Sequence, residues 1–242
     1  MGRGRNSFDV VNISEKLNGL DIKSKLNSLN NDFGLKLIFS TNFSIEDQVI
    51  TDIIFNNDLP ISVFTLDTGR MFEESYKVFD RTIKKYNKKI SVYYPENSDI
   101  VNMVESKGIF SFYDSVENRI ECCNIRKVKP LKQALNGYTC WITGLRSEQS
   151  ENRKDVTEFL IDENFGILKY NPIIDWSEEK VMEYIKSNLI PYNILFDKGF
   201  RSIGCEPCTR AINKGENIRS GRWWWEDKSK KECGLHSRPD QD

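Results

Sequence analysis

The chain has one histidine, six cysteines and no apolar run approaching the roughly 18 residues of a membrane span. Its 35 Lys and Arg nearly balance 36 Asp and Glu, leaving a formal net charge of −1. Without an excess of one sign, no global field draws it to nucleic acid or to an anionic membrane, and any basic binding surface must be local. The first ten residues, MGRGRNSFDV, lack the apolar core of a signal peptide, and Asn6 stands where N-myristoylation requires Ser or Thr. The expectation is a cytoplasmic protein with no membrane partner. Six cysteines are too few for a disulfide scaffold of 242 residues. In a reducing compartment, clustered thiols read as metal ligands or redox groups. Neither an internal repeat nor a low-complexity stretch is present.

A regular rhythm starts at residue 35. The short β-prone runs LKLIF (35–39), ISVFTL (61–66), ISVYY (90–94), CWITG (140–144) and ILKY (167–170) alternate with helical stretches at 46–56, 71–86, about 100–107 and about 123–136. Such alternation predicts an α/β fold, a mostly parallel sheet with helices on both faces. DWSEEKVMEYI (175–185) reads as a further helix capped by Asp175, with Val181, Tyr184, Ile185 and Asn188 on one face. Three segments are expected: a helical leader (1–33), an α/β domain (34–197) and an irregular C-terminal segment (198–242).

Ligands of open α/β sheets sit beyond the carboxyl ends of the strands. After the first run, STNFSIEDQV (40–49) turns into a helix, whose free N-terminal amides form an anion site. The loop contains no glycine, so it also reads as an ordinary strand–helix turn. After the second run, LDTGR (66–70) is either a capped turn with a surface arginine or a phosphate contact through Arg70. After the fourth, TGLRSEQSENR (143–153) supplies Arg146 and Arg153. Two strand ends that each carry Gly and Arg point to an anionic ligand.

The thiols fall into ECCNIRKVKPL (121–131) and SIGCEPCTRA (202–211), with Cys140 and Cys233 alone. Cys122, Cys123, Cys205 and Cys208 could together hold Zn²⁺ or an iron–sulfur cluster, or C-x-x-C could be a redox pair. Adjacent cysteines suit a zinc knuckle poorly, because successive side chains diverge. Arg126, Lys127 and Arg210 nearby favour one shared anionic site. Cys140, inside a strand run, reads as a packing residue. The C-terminal stretch GRWWWEDKSKKECGLH (221–236) joins three tryptophans, a charged spacer, a lone thiol and the lone histidine. Taken alone, it reads more readily as an aromatic core or interface segment followed by a solvated run, with an inert thiol and a structural histidine.

Taken in order, FSIEDQ, FTLDTGR, CCNIRKVKPL, WITGLRSEQS, NPIIDW, IPYN, SIGCEPCTR, GRWWWE and KECGLH resemble the assimilatory adenylylsulfate (APS) reductases. These form the iron–sulfur branch of the phosphoadenylylsulfate (PAPS) reductase family, with the adenine nucleotide α-hydrolase-like, or PP-loop, fold. The resemblance covers about residues 34–236. It implies a [4Fe–4S] cluster on Cys122, Cys123, Cys205 and Cys208, linked to the substrate pocket by Lys127. It implies that Ser40, Thr41, Phe43, Ser44, Glu46 and Asp47 form the nucleotide loop, and that Leu66, Asp67, Thr68, Gly69 and Arg70 lie against the adenosine. Gly144, Arg146, Arg219 and Arg222 would face the phosphosulfate. Cys233 would be the nucleophile, with His236 beside it.

The implied chemistry gives the last segment a purpose. A Cys233 thiolate attacks the sulfur of APS, expels AMP and becomes S-sulfonated, and thioredoxin or glutaredoxin then releases sulfite. The tryptophans would anchor an arm, EDKSKKE, that pivots at Gly234, with Lys230, Lys231 and His236 favouring the thiolate. The cluster need not cycle, since thiols can supply both electrons. A homo-oligomer, dimer or tetramer, is expected. Three other readings compete: a PAPS or dual-substrate reductase, a PP-loop adenylyltransferase or ATP pyrophosphatase, and a nucleic-acid-binding metal protein. The glycine-free first loop and Cys233 oppose the second, and the near-neutral charge opposes the third.

Overall fold

The β-prone runs become strands of one sheet, and a further strand joins them. The protein is represented by a computed structural model that describes residues 8–149 and 156–226. Arg153, Lys230, Lys231, Cys233, Gly234 and His236 lie outside the described residues. The strands are β1 (Leu37–Ser40), β2 (Ser62–Leu66), β3 (Ser91–Tyr93), β4 (Cys140–Ile142), β5 (Phe159–Asp162) and β6 (Ile167–Tyr170). They lie in the order β3-β2-β1-β4-β6-β5, and every pair is parallel except β5 with β6.

Period-two burial makes two cores. Leu37 and Phe39 of β1 face the larger one, with Val63, Cys140 and Ile142. Ile38 faces the other, with Phe64, Trp141 and Ile167. The larger core is covered by α1 (Val10–Leu17), α2 (Ile22–Asn31), α3 (Ile45–Asn56) and α8 (Glu178–Ser187), through residues such as Leu17, Leu26, Ile50 and Val181. On the opposite face lies α7 (Lys129–Ala134), through Leu131 and Ala134. Three more helices complete the frame: α4 (Glu73–Tyr86), α5 (Asn97–Lys107) and α6 (Val116–Cys123). Cys140 is fully buried in β4, and burial drives its thiol pKa up. No helix among the described residues is long and apolar enough to cross a membrane.

Three local expectations are corrected. β5 is absent from the rhythm above, because FLID is followed at once by charge. Its Asp162 is buried against Lys169 (3.0 Å), and that ammonium lies 4.3 Å from the Trp141 ring centroid. The cap of α8 is Ser177, whose Oγ accepts from the Lys180 amide (3.2 Å), so the helix starts one turn after Asp175, and Asn188 is its exposed C-cap. The stretch at 123–136 is not one regular helix. α6 ends at Cys123, a π-helical turn (Asn124–Val128) follows, and α7 resumes with Pro130 in its first turn.

The topology places the site. Consecutive order reverses between β1 and β4, so the connections leaving these two neighbouring strands run to opposite sides. That opens a crevice at their carboxyl ends.

Candidate functional site

The crevice is a cleft of about 1400 Å³, counting its open mouth. Its floor is built by the strand-end loops: Ser40, Thr41, Ser44, Glu46 and Asp47 after β1, Leu66 and Thr68 after β2, and Thr143 and Gly144 after β4. Its far wall comes from the C-terminal segment, through Arg201 to Cys205, Arg219 and Arg222, and Lys127 reaches it from the π-helical turn.

Internal hydrogen bonds hold the glycine-free loop rigid. The amide of Asn42 donates to Asp47 Oδ2 (2.7 Å), that of Phe43 to Thr41 Oγ1 (3.0 Å) and that of Ser44 to Asn42 Oδ1 (2.9 Å). These three amides are therefore occupied within the loop rather than presented as a bare phosphate cradle. Phe43 adopts a φ of 62°, costly for a residue with a Cβ, and its ring is buried and stacked on Phe79 at 5.1 Å. Asp47 is enclosed, and burial pushes its carboxyl up to about 7 against the lowering effect of the Asn42 amide. It packs on Gly144, where any Cβ would overlap Asp47 Oδ1. The loops after β1 and β4 thus touch at a point that only glycine permits.

Several expected substrate contacts lie behind the cleft wall. Phe43 is one. Arg146 is another: it is 1% exposed and bonded to Glu46 (2.9 Å), Glu148 (3.0 Å) and the Trp176 carbonyl (3.1 Å). It braces the β4 loop against the start of α3 instead of facing the cleft. Asp67 accepts from the Gly69 amide (2.8 Å) and the Tyr76 hydroxyl (3.0 Å), which shapes the LDTGR turn from within. Neither Asp67 nor Gly69 lines the cleft, and Arg70 turns to a second cavity.

That cavity is lined by Cys122, Cys123, Cys205 and Cys208 together with Arg70, Arg119, Arg126, Lys127, Phe112 and Trp223. The π-helical turn immediately after Cys123 answers the objection to adjacent thiols. Both cysteines border the cavity where the helix widens. Cys205 and Cys208 flank a 3₁₀ turn (Glu206–Cys208) fixed to the β2 loop, since the Glu206 amide donates to the Arg70 carbonyl (2.8 Å) and Thr68 Oγ1 lies 3.3 Å from Cys205 Sγ. All four thiols are free of disulfides. Burial raises the Cys122 thiol and pushes Cys208 up to about 12, so without a bound cationic centre they would stay protonated.

The cavity also gathers guanidinium and indole donors whose bonds are only partly satisfied among the described residues. Arg126 Nη1 donates to the Thr68 carbonyl (2.6 Å) and Arg70 Nη2 to the Ile109 carbonyl (2.5 Å). Arg70 Nη1, Arg126 Nε and Trp223 Nε1 are buried donors with no partner among the described residues. Burial and the Arg126 charge both lower the Arg70 pKa. Three orphaned donors beside four thiols fit an anionic, thiolate-ligated group that accepts hydrogen bonds. Among the described residues, no three Cys, His, Asp or Glu side chains converge as the ligand set of one metal ion.

Sequence reasoning did not find the anchor of the C-terminal segment. Arg119 and Glu226, 107 positions apart, form a bidentate pair with both bonds at 2.9 Å, 2% and 4% exposed. Arg119 also lies over Trp223, at 4.7 Å from the ring centroid. Of the three tryptophans, Trp223 is fully buried in the thiol cavity, Trp225 packs on Tyr113 (4.4 Å) and Trp224 remains 40% exposed. No local pattern announces an ion pair of such separation.

The phosphoadenosine phosphosulfate reductase domain family model matches residues 36–211, from the start of β1 to just past the second pair of thiols. This chain belongs to that family. An adenosine 5'-phosphosulfate reductase of Neisseria meningitidis serogroup A is 51% identical over 199 residues, covering 82% of this chain and 82% of that protein. A protein of the same name from Rhizobium meliloti is 47% identical over 223 residues, covering 92% of this chain and 84% of its own length. Among solved structures, the phosphate complex of phosphoadenylyl-sulfate reductase from Candida auris superposes with a TM-score of 0.70 at 23% identity, covering 84% of this chain and 96% of that one. At that identity the likeness establishes the fold, which agrees with the parallel sheet and its strand-end cleft.

Proposed function

We propose that this protein reduces adenosine 5'-phosphosulfate to sulfite and AMP in sulfate assimilation. The carrying observation is that Lys127 and Cys205 border both the strand-end cleft and the four-thiol cavity, so the two sites share a wall. The names of the family's close relatives support the same substrate.

In this reading the adenylyl group lies over Leu66 and Thr68, and the phosphosulfate meets Lys127, Arg219 and Arg222. Arg222 is buried, its guanidinium is packed so closely on Gly204 that a Cβ there would overlap it, and its Nε has no partner among the described residues. A fixed cation at the sulfonate stabilises negative charge as it moves onto the departing phosphate. Cys233 is the nucleophile, and His236 and the lysines before it favour its thiolate. Its sulfur attacks the sulfur of APS, the S–O bond to phosphate breaks, and AMP leaves with the electron pair. A dithiol protein of the thioredoxin or glutaredoxin type then removes sulfite.

Cys122, Cys123, Cys205 and Cys208 would hold a [4Fe–4S] cluster. The orphaned donors of Arg70, Arg126 and Trp223 support an anionic group in that place. When bound, the cluster supplies an electrostatic anchor for Lys127 and joins α6 to the C-terminal segment, without itself supplying electrons. The test is product formation with a dithiol reductant, comparing APS with PAPS. Sulfite and AMP formed faster from APS support the reading, and a preference for PAPS would replace the substrate.

A further inference from the structure

Ile109, Phe110, Tyr113 and Trp224 are 56%, 58%, 40% and 40% exposed beside the thiol cavity. The aromatic rings form a chain through the half-buried Trp225: Phe110 to Tyr113 at 6.3 Å, Tyr113 to Trp225 at 4.4 Å, and Trp225 to Trp224 at 4.9 Å. The strip is held from beneath. Tyr113 donates its hydroxyl to the Pro207 carbonyl (2.7 Å), Arg70 grips the Ile109 carbonyl, and the buried Phe112 ring lies 4.4 Å from Tyr113. Contiguous apolar surface on a fixed support marks an interaction site, and Trp and Tyr are the residues that dominate binding energy in such sites.

The position of the strip says what covers it. Trp224 and Trp225 lead directly into Glu226, which Arg119 fixes in a buried pair. Cys233 follows seven residues later, so it stays within about 25 Å of that anchor even with the chain fully extended. Residues 227–242, DKSKKECGLHSRPDQD, contain Leu235 as their one large apolar side chain, too little to cover Ile109 and three aromatic rings. A protein that brings a thiol to Cys233 therefore works within that radius of Glu226, and the strip is the apolar surface that adjoins this anchor.

We propose that Ile109, Phe110, Tyr113 and Trp224 form the docking surface for the dithiol protein that regenerates Cys233, an inference that rests on the reaction proposed above. The partner's thiolate attacks Cys233 Sγ, the bond from that sulfur to the sulfonate breaks, and sulfite leaves with the electron pair. The partner's second thiol then attacks its own partner sulfur in the mixed disulfide and frees Cys233 as thiolate. The partner ends as a disulfide, two electrons poorer, and the sulfur released as sulfite has gained them.

A small dithiol needs no docking surface, and that contrast makes the test. The variant Ile109→Ser/Phe110→Ser is compared with the wild type, using thioredoxin and dithiothreitol as alternative reductants. The expected result is a KM for thioredoxin raised about tenfold or more, which a lost aromatic anchor accounts for. Turnover with dithiothreitol, and the S-sulfonation of Cys233 in a single turnover, should stay unchanged. A thioredoxin KM within twofold of wild type overturns the proposal. So does a parallel loss with both reductants, which would make the strip structural, or a changed oligomeric state with unchanged KM, which would make it an interface between copies. Trp224→Ser reads the same quantity from the other end of the strip if the double variant does not fold. If the wild type forms no Cys233 adduct, the underlying reaction falls and takes this proposal with it, whereas an adduct with unchanged thioredoxin KM removes the docking surface alone.

Discussion

Serine in place of Cys205 is expected to strip iron and acid-labile sulfide from the protein and to reduce sulfite formation to background. The thiol stands at a junction: it borders the cavity and the cleft, and it lies 3.3 Å from Thr68 Oγ1 on the β2 loop. An alcohol does not replace a thiolate as a soft ligand for iron. Losing the group also leaves the buried donors Arg70 Nη1, Arg126 Nε and Trp223 Nε1 without a partner among the described residues. Buried donors left without a partner cost about 1–3 kcal/mol each unless water reaches them. The C-terminal segment should then loosen, so the variant is also expected to lose thermal stability and to become protease-sensitive near residues 198–226. Metal analysis, turnover and a melting curve on anaerobically prepared protein check all three. Full activity with no iron in the wild type would remove the cluster from the account.

Glutamine in place of Lys127 should separate the electrostatic role from the structural one. The lysine issues from the π-helical turn and borders both cavities. The variant is expected to keep its iron and sulfide, because no ligand is changed, and to lose roughly 10²- to 10³-fold in kcat/KM, the usual effect of removing one preorganised charge partner from a developing anion. Arginine at this position should restore part of the loss, since it keeps the charge in a different geometry. A Lys127→Gln protein with normal kcat/KM would leave the shared wall without a catalytic meaning.

The strands that carry the site are read correctly from local pattern. β1, β2 and β4 are short apolar runs, each followed by a polar turn, and the ligand-facing loops after them follow from the topology of a parallel sheet. Burial direction is less legible. Arg146 and Phe43 stand in the expected loops, yet one is committed to Glu46 and the other to Phe79. Choosing between a guanidinium that meets a ligand and one that meets a carboxylate 100 positions away requires the tertiary structure. The same holds for Arg119 and Glu226. Cys122 and Cys123 make the point in reverse: adjacency argues against a common site on a regular helix or strand, and the π-helical turn removes that objection. The cap of α8 shows the limit of residue-type rules, since Asp175 and Ser177 are both good caps and packing selects the second.

The central claim is that Cys233 attacks the substrate's sulfur. Intact mass after anaerobic purification and incubation with APS, in the absence of any thiol reductant, tests it most directly. The account predicts a gain of one SO₃ group in the wild type that is absent in Cys233→Ser. Substrate bound to a cluster-loaded protein with no mass gain would contradict it.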